Sequence, residues 1–188
     1  MQFEVEKKFW LPEEQTLVSR LEPLGVTLPE AIDQIDRYFA HPARDFLQTD
    51  EALRLRSVGD QEYLTYKGAR IDSTTKTRRE LELELSPAVS GDIQTLLDLL
   101  GFKPLMTVHK QRRQASFEWK GYPIEICVDE IDQIGRFVEL ETTSDLEHLE
   151  RAKESLESLA EHLELDRQER RSYLELMFNH LGPQRLPG

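Results

Sequence analysis

The chain has 188 residues, of which 38% are apolar, and its formal net charge is −12 at pH 7. This apolar content supports one folded domain, and the negative charge argues against a nucleic-acid binder because phosphates would be repelled. No stretch approaches the roughly 20 consecutive apolar residues of a membrane helix, so we expect no membrane partner. We see no secretory signal. Cys127 is the only cysteine, which excludes an intrachain disulfide and favours a cytoplasmic protein.

Residues 2–10 alternate between apolar and charged side chains, which predicts a β-strand. One predicted face carries Phe3, Val5 and Phe9, and the other carries Glu4, Glu6 and Lys8. A short helix should follow, because Pro12 suits a first helical turn and Gly25 suits a helix end.

Four more strands are expected in the next part of the chain, and they are Asp33–Ala40, Ala52–Val58, Glu62–Gly68 and Thr75–Leu85. Gly59 and Asp60 form a hairpin turn signal between two of them. The pattern then changes to a helical period over Ser90–Leu100, and Gly101 suits the end of that helix.

Strands return at Thr107–Lys120, Tyr122–Asp129 and Arg136–Thr143. Ser144 and Glu147 have the spacing of a capping box, which predicts a long helix reaching about Leu163. A final helix is expected over Arg170–Leu181. We therefore predict a single α+β domain over residues 1–181, with eight mostly hairpin-ordered antiparallel strands, and a flexible tail over residues 182–188.

The charged faces of these strands repeat along the chain. For one strand the simplest interpretation is a solvated outer face, as in many antiparallel sheets. The opposite faces are strongly apolar, however, and need a cover that the amphipathic helices can supply. If the sheet closes into a barrel, the charged face becomes a lumen with room for a small ligand. The basic candidates are Lys8, Arg54, Arg56, Lys67, Lys76, Arg78, Lys110 and Arg112. The acidic candidates are Glu4, Glu6, Glu80, Glu82, Asp129, Glu139 and Glu141.

Such a mixture of charges has a chemical rationale. Arginine and lysine neutralise and orient phosphate oxygens, whereas carboxylates in the same cavity would repel them. A divalent cation removes this conflict, because Mg²⁺ and Mn²⁺ bridge protein carboxylates to substrate phosphates. The pattern therefore favours a metal ion together with a polyphosphate.

The motif Glu4-x-Glu6-x-Lys8 resembles the E-x-E-x-K signature of the CYTH superfamily, the triphosphate tunnel metalloenzymes. The resemblance runs in order over roughly residues 2–178. It continues through Asp36-Arg37-Tyr38-Phe39, Leu53-Arg54-Leu55-Arg56, Leu64-Thr65-Tyr66-Lys67-Gly68, Lys76-Thr77-Arg78-Arg79-Glu80-Leu81-Glu82, Lys110-Gln111-Arg112, Val128-Asp129 and Gly135-Arg136-Phe137-Val138-Glu139-Leu140-Glu141.

The resemblance implies an eight-stranded antiparallel tunnel with helices outside, which binds a triphosphate with Mg²⁺ or Mn²⁺. The implied metal ligands are Glu4, Glu6, Glu139 and Glu141, with Glu80 and Glu82 either completing the metal site or pairing with nearby bases. The implied substrate-binding residues are Lys8, Arg54, Arg56, Lys67, Lys76 and Arg78. The implied catalytic residues are Lys110, Arg112 and Asp129, the last as a second metal ligand or a base.

Three functions remain open at this point. The tract 107–112 and the ending Arg171-Ser172-Tyr173 resemble the class IV adenylyl cyclases, which convert ATP to cyclic AMP and pyrophosphate. A hydrolase of tripolyphosphate, thiamine triphosphate or a nucleoside triphosphate would use the same tunnel. A non-catalytic binding module is less favoured, because binding alone does not require so many carboxylates. Ala40 departs from the polar residue common in relatives, and both a monomer and a homodimer remain open.

Overall fold

Nine antiparallel strands form one sheet in this computed structural model, which describes residues 2–71 and 76–181. The strands are β1 (Phe3–Trp10), β2 (Ile32–Ala40), β3 (Ala52–Val58), β4 (Gln61–Lys67), β5 (Lys76–Arg78), β6 (Glu80–Leu85), β7 (Lys103–Trp119), β8 (Tyr122–Ile131) and β9 (Gly135–Ser144). Their order in the sheet is β5-β1-β9-β8-β7-β2-β3-β4-β6. The predicted α+β class is confirmed.

The sheet curves into a tunnel in a way that corrects the predicted eight-stranded barrel. The expected single strand Thr75–Leu85, of which Thr75 lies outside the described residues, is two strands, β5 and β6, with Arg79 between them. β5 pairs with β1 and β6 pairs with β4, so this one segment supplies both edges of the sheet. The carbonyl of Arg79 accepts a hydrogen bond from the amide of Gly68 at 2.9 Å, at the point where pairing switches. The tunnel is therefore joined by the continuous chain and not by a hydrogen-bonded pair of edge strands.

Five α-helices accompany the sheet within the described ranges, and they are α1 (Glu14–Leu21), α2 (Phe46–Thr49), α3 (Pro87–Leu99), α4 (Leu149–His162) and α5 (Tyr173–Leu181). A 3₁₀ turn, Glu22–Leu24, extends α1. Sequence periodicity did not indicate α2, because four residues are too few to show a helical period. None of the described helices combines the length and the apolar character needed to span a membrane.

The hydrophobic core lies between the apolar outer faces of the strands and the helices. Leu17 of α1 and Leu156 of α4 are buried against Val5 of β1, Ile126 of β8 and Leu140 of β9. The start of α5 is buried against the end of the tunnel near Phe137, and α3 covers β2, β3 and β6. Helices thus occupy the outside of the sheet, as predicted, and the charged faces are left pointing inward.

Two predicted helix starts are wrong. Ser144 belongs to β9 and pairs with Phe3 of β1, so α4 begins five residues later than the capping-box prediction, at Leu149. The last helix begins at Tyr173 instead of Arg170. There Ser172 Oγ accepts from the amide of Glu175 at 3.1 Å, and Glu175 Oε2 accepts from the amide of Ser172 at 2.5 Å. This is a reciprocal capping box. The predicted tail, residues 182–188, lies outside the described residues.

The segment before α5 is tied to β1 through Glu169. Its amide donates to the carbonyl of Lys8 at 2.7 Å, and its carboxylate accepts from Trp10 Nε1 at 3.1 Å and from Arg171 Nε at 2.8 Å. The hydrogen bonds from Arg171 lower the pKa of this carboxyl from 4.5 to about 2. Glu169 therefore fixes the C-terminal segment to the strand that carries the opening motif.

We predict that Glu169→Gln lowers the free energy of unfolding by about 1–2 kcal/mol at pH 7, since a charged acceptor is lost. Because folding lowers the pKa, this stabilisation is complete above pH 4.5 and disappears as pH falls through about 2. Urea unfolding at pH 7 and across this acid range measures the difference. Glu154→Gln, on the exposed face of α4, is the control. A pH-independent difference between wild type and Glu169→Gln would contradict the assignment.

Candidate active site in the tunnel

The inner face of the sheet encloses a cavity of about 300 Å³. Every residue that was predicted for the site lines it except Asp129, which contacts Arg112 and Lys110. The register explains this convergence, because Glu6 lies opposite Glu141 and Lys8 lies opposite Glu139 in the β1–β9 pair. Side chains of alternate residues share one face of a strand, so the charged series of each strand enters the same lumen.

Three carboxylates meet at one place in this cavity. Glu4, Glu6 and Glu141 each offer an oxygen within 4.8 Å of the others. Burial raises the pKa of Glu141 well above its ordinary value. Arg112 opposes this rise, and the neighbouring glutamates add to it. Burial likewise raises the pKa of Glu4, although Lys67 opposes it. Hard oxygen donors held this closely suit a divalent cation such as Mg²⁺ or Mn²⁺.

The other three predicted metal ligands lie outside this cluster of Glu4, Glu6 and Glu141, and each is close to a basic side chain. Glu139 accepts from Arg112 Nη2 at 2.6 Å, and Glu80 lies 2.6 Å from Lys67 Nζ. Glu82 accepts from Thr65 Oγ1 at 2.8 Å and lies 3.8 Å from Arg54. For Glu80 and Glu82 this geometry favours the pairing alternative, and metal binding by all three stays a prediction.

Asp129 is the centre of a buried network at one wall of the tunnel. Arg112 donates to both its oxygens, at 2.7 and 2.5 Å, and Tyr173 Oη donates at 2.7 Å. Lys110 Nζ lies 3.4 Å away. Burial alone would raise the pKa of Asp129, but Arg112 and Lys110 outweigh it and lower the pKa. A carboxylate with a lowered pKa and this many donors is a poor base, so it is better suited to positioning Arg112, Lys110 and Tyr173.

Lys8 and Lys110 are the ammonium groups most isolated from water. Lys8 is 1% exposed, and its Nζ lacks a hydrogen-bond partner within the described part of the chain. This Nζ lies 3.9 Å from the centroid of the Tyr173 ring and 3.9 Å from a Glu139 oxygen. Burial, and then Lys76, lowers its pKa well below the ordinary value. Burial and the adjacent Arg112 lower the pKa of Lys110 to about 8. An incoming phosphate would supply both groups with acceptors.

The remaining basic residues are held by acids on neighbouring strands. Asp36 accepts from Arg56 Nε at 2.6 Å and lies 3.4 Å from Arg54 Nη1. Burial would raise the pKa of Asp36, but Arg54 and Arg56 lower it well below its usual range. Lys67 contacts both Glu4 oxygens at 2.9 Å, and Lys76 pairs with Glu6. Arg78 Nε lies 4.0 Å from a Glu4 oxygen.

Sequence reasoning missed Asp36, Tyr173, Glu125 and the α2 residues as parts of this site. Glu125 and Asp36 could have been found, since each has the inward parity of its strand. Tyr173 belongs to the ending Arg171-Ser172-Tyr173 that resembles the class IV cyclases, but strand alternation could not place it in the tunnel, because a helix inserts it from outside the sheet. Cys127 is buried, and burial raises the pKa of its thiol, which argues against a nucleophile.

Together, the fold and the lining define an α+β tunnel protein whose lumen interleaves acidic and basic side chains. Residues 2–173 match the CYTH domain. The chain therefore belongs to the CYTH domain family. Members of this family are metal-dependent enzymes that process triphosphate substrates.

The chain is similar to three further proteins. It is 33% identical to "Putative adenylate cyclase MJ0240" of Methanocaldococcus jannaschii over 92% of this chain and 97% of that protein. The structure of protein PH1819 from Pyrococcus horikoshii has a TM-score of 0.81 and 36% identity, covering 94% of this chain and 98% of that one. The protein HpAC1 of Hippeastrum, described as a putative adenylyl cyclase with a dominant triphosphatase activity, shares the fold with a TM-score of 0.67 and 18% identity over all of both chains.

Proposed function

We propose that this chain is a divalent-metal-dependent enzyme that processes a triphosphate substrate inside the tunnel. The observation that carries the proposal is the meeting of three carboxylates, from Glu4, Glu6 and Glu141, in a 300 Å³ cavity whose lining also includes eight lysine and arginine side chains. A carboxylate cluster and a polyphosphate exclude each other unless a cation lies between them. Mg²⁺ or Mn²⁺ held there would screen this repulsion and polarise the phosphoryl group under attack.

The protein's own part in this reaction is positioning and charge stabilisation. Lys8 and Lys110 are already stripped of water, so their interaction with phosphate oxygens is strong. Arg112 is oriented by Asp129, and its fork of donors suits phosphate geometry. We assign Asp129 and Tyr173 to holding this arrangement and Lys8, Lys110 and Arg112 to stabilising the negative charge of the leaving phosphate.

Among possible reactions, we propose the adenylyl cyclase reaction first. The ATP 3′-hydroxyl would attack the α-phosphorus and give its proton to water, and the bond from that phosphorus to pyrophosphate would break. The support is the name of the M. jannaschii relative and the two sequence tracts that resemble the class IV cyclases.

A triphosphatase is the second candidate. Water would attack the terminal phosphorus of tripolyphosphate, thiamine triphosphate or a nucleotide, and the bond from that phosphorus to its bridging oxygen would break. The attacked phosphorus and the water would form orthophosphate, and the diphosphate portion would leave. The Hippeastrum protein supports keeping this candidate, because a protein of the same fold is described with that activity. A non-catalytic module fits less well, because it would not require the crowded carboxylates.

The test is incubation of the purified protein with ATP, tripolyphosphate or thiamine triphosphate, with Mg²⁺, Mn²⁺ or EDTA. Cyclic AMP with pyrophosphate supports the cyclase, and orthophosphate supports the triphosphatase. Binding without turnover of any substrate would support the non-catalytic module and refute the proposed enzyme. Size-exclusion chromatography with light scattering distinguishes the monomer from the homodimer. Cytoplasmic location and the absence of a nucleic-acid partner stay predictions.

A further inference from the structure

A second cavity, of about 480 Å³, adjoins the charged tunnel at the start of β2 and the end of β3. Four residues line both cavities, and they are Arg56, Glu82, Arg112 and Gln114. The other polar residues of the second cavity are Gln34, Tyr63 and Ser116, which carry amide or hydroxyl groups, and Glu30. We call this space the side cavity. A molecule in the side cavity is therefore adjacent to two arginines of the candidate active site.

One buried side chain of the side cavity has an unused hydrogen-bond acceptor. Gln34 is 8% exposed, and its Oε1 has no hydrogen-bond partner among the residues that the structure describes. Buried polar atoms in folded proteins are bonded to other protein groups or to ordered water, because an unpaired one is costly. Gln34 Oε1 is therefore able to accept a hydrogen bond from a molecule in the side cavity.

This acceptor lies beside the ammonium groups that are suited to phosphate. Gln34 is opposite Lys110 in the β2–β7 pair, and the Cβ atoms of such pairs are about 5 Å apart on the same face. Lys110 Nζ lies 5.3 Å from the centroid of the Tyr173 ring, and Lys8 Nζ lies 3.9 Å from the same centroid. In the strand order, β7 with Lys110 lies between β2 with Gln34 and β1 with Lys8. Gln34 and Lys8 are therefore on different sides of Lys110.

We propose that Gln34 positions the water molecule that attacks the terminal phosphorus of a triphosphate held by Lys110 and the neighbouring arginines. This inference rests on the triphosphatase candidate above and names the residue that orients its water. The water reaches the phosphate from the side cavity, and Gln34 Oε1 accepts one of its hydrogen bonds. The leaving bridging oxygen is then on the side of Lys8, away from the water, as an in-line displacement requires.

The hydrolytic step balances without a base. The water oxygen bonds to the terminal phosphorus, and the bond from that phosphorus to the bridging oxygen breaks. Its electron pair stays on the bridging oxygen, which leaves with the diphosphate portion. Both protons of the water remain on the product, which is dihydrogen phosphate. Gln34 accepts a hydrogen bond and takes no proton, so its contribution is orientation.

The test replaces Gln34 by methionine, which keeps an unbranched side chain and removes the carbonyl oxygen. We expect kcat for release of orthophosphate from tripolyphosphate to fall about 100-fold, because the attacking water loses its orientation. KM for tripolyphosphate should stay within about twofold, since the basic side chains bind the phosphates. The variant should fold, because an acceptor without a partner adds no stability, and thermal unfolding checks this. Gln34→Leu, a second variant without the acceptor, should give the same separation of kcat from KM.

Formation of cyclic AMP from ATP is a second measurement on the same variants. The nucleophile of that reaction is the 3′-hydroxyl of ATP, so its rate should stay within about twofold of wild type. The matched control is Gln111→Met, which changes an exposed glutamine of β7 outside both cavities. This control should alter neither orthophosphate release nor cyclic AMP formation.

A fall in kcat for orthophosphate with KM retained supports the assignment of Gln34. An unchanged kcat, a loss confined to KM, or an equal loss of orthophosphate and cyclic AMP would overturn it while the proposed enzyme stands. A wild-type protein that forms cyclic AMP but no orthophosphate from any triphosphate would do the same. A wild-type protein that processes none of the compounds would instead overturn the proposed function, and the assignment of Gln34 with it.

Discussion

Replacing Glu4 and Glu6 together by glutamine is expected to reduce metal-dependent turnover by about a thousandfold or more while leaving the protein folded. The two carboxylates and Glu141 form the only site within residues 2–71 and 76–181 where three glutamates come within 4.8 Å. Glutamine keeps the size and one oxygen of each side chain but removes the negative charge that holds a divalent cation. Turnover is measured with Mg²⁺ and Mn²⁺, and Mn²⁺ binding is measured by calorimetry.

The control for this variant is the double replacement Glu118→Gln with Glu130→Gln. It removes the same formal charge from exposed positions on β7 and β8, so it should preserve metal binding and turnover. Circular dichroism and thermal unfolding establish that both variants fold. Near-normal activity of the Glu4/Glu6 variant would refute the metal assignment. If the double variant does not fold, the same measurements are made on Glu4→Gln and Glu6→Gln separately, and near-normal activity of both would refute the assignment.

Replacing Arg112 by methionine is expected to lower the free energy of unfolding by about 3–5 kcal/mol. Arg112 donates to Asp129 at 2.7 and 2.5 Å and to Glu139 at 2.6 Å, and all three side chains are buried. Without the guanidinium, two buried carboxylates lose their strongest partner. Methionine retains much of the side-chain volume, so the loss reports charge and hydrogen bonding more than packing.

The control is Arg136→Met, which removes an arginine bonded to Glu130 at 2.9 Å where the side chains are 45% and 53% exposed. A surface pair contributes little, so we expect a change below about 0.5 kcal/mol. Adding Asp129→Asn to Arg112→Met should restore part of the stability, because one unpaired charge is then removed. Equal effects of the two methionine variants in urea unfolding would contradict the buried network.

Much of the fold could be predicted from alternation alone. In β1 the charged residues Glu4, Glu6 and Lys8 share a parity, and the structure turns them all inward. The residues of the outward face could be predicted equally well, and Phe3, Val5 and Phe9 are indeed buried beneath the helices. A period of two specifies which side chains share a face, and the apolar face must be covered, so the inside and the outside of the sheet follow.

Local sequence patterns gave wrong element boundaries where pairing with a strand distant in the chain determined the structure. Ser144 has a capping-box spacing, yet pairing with Phe3 keeps it in β9. The segment 76–85 has one continuous alternation, yet its two halves pair with different strands on either side of Arg79. Backbone groups buried in a sheet must find partners, so the available partner strand decides where an element breaks or ends.

The motif Glu4-x-Glu6-x-Lys8 shows, for the site as well, which features the sequence determines and which depend on the tertiary structure. By itself, the sequence determined that two acids and a base share one face of β1, and the matching faces of later strands indicated a charged lumen. Only the tertiary structure decided that Glu141, and not Glu139, joins Glu4 and Glu6, while Arg112 engages Glu139. It also decided that Tyr173 reaches Asp129 from a helix and that the apolar lining collects beside α2 and α5. The physical reason is that alternation specifies the direction of a side chain, whereas its neighbours depend on strand register and on segments far away in the chain.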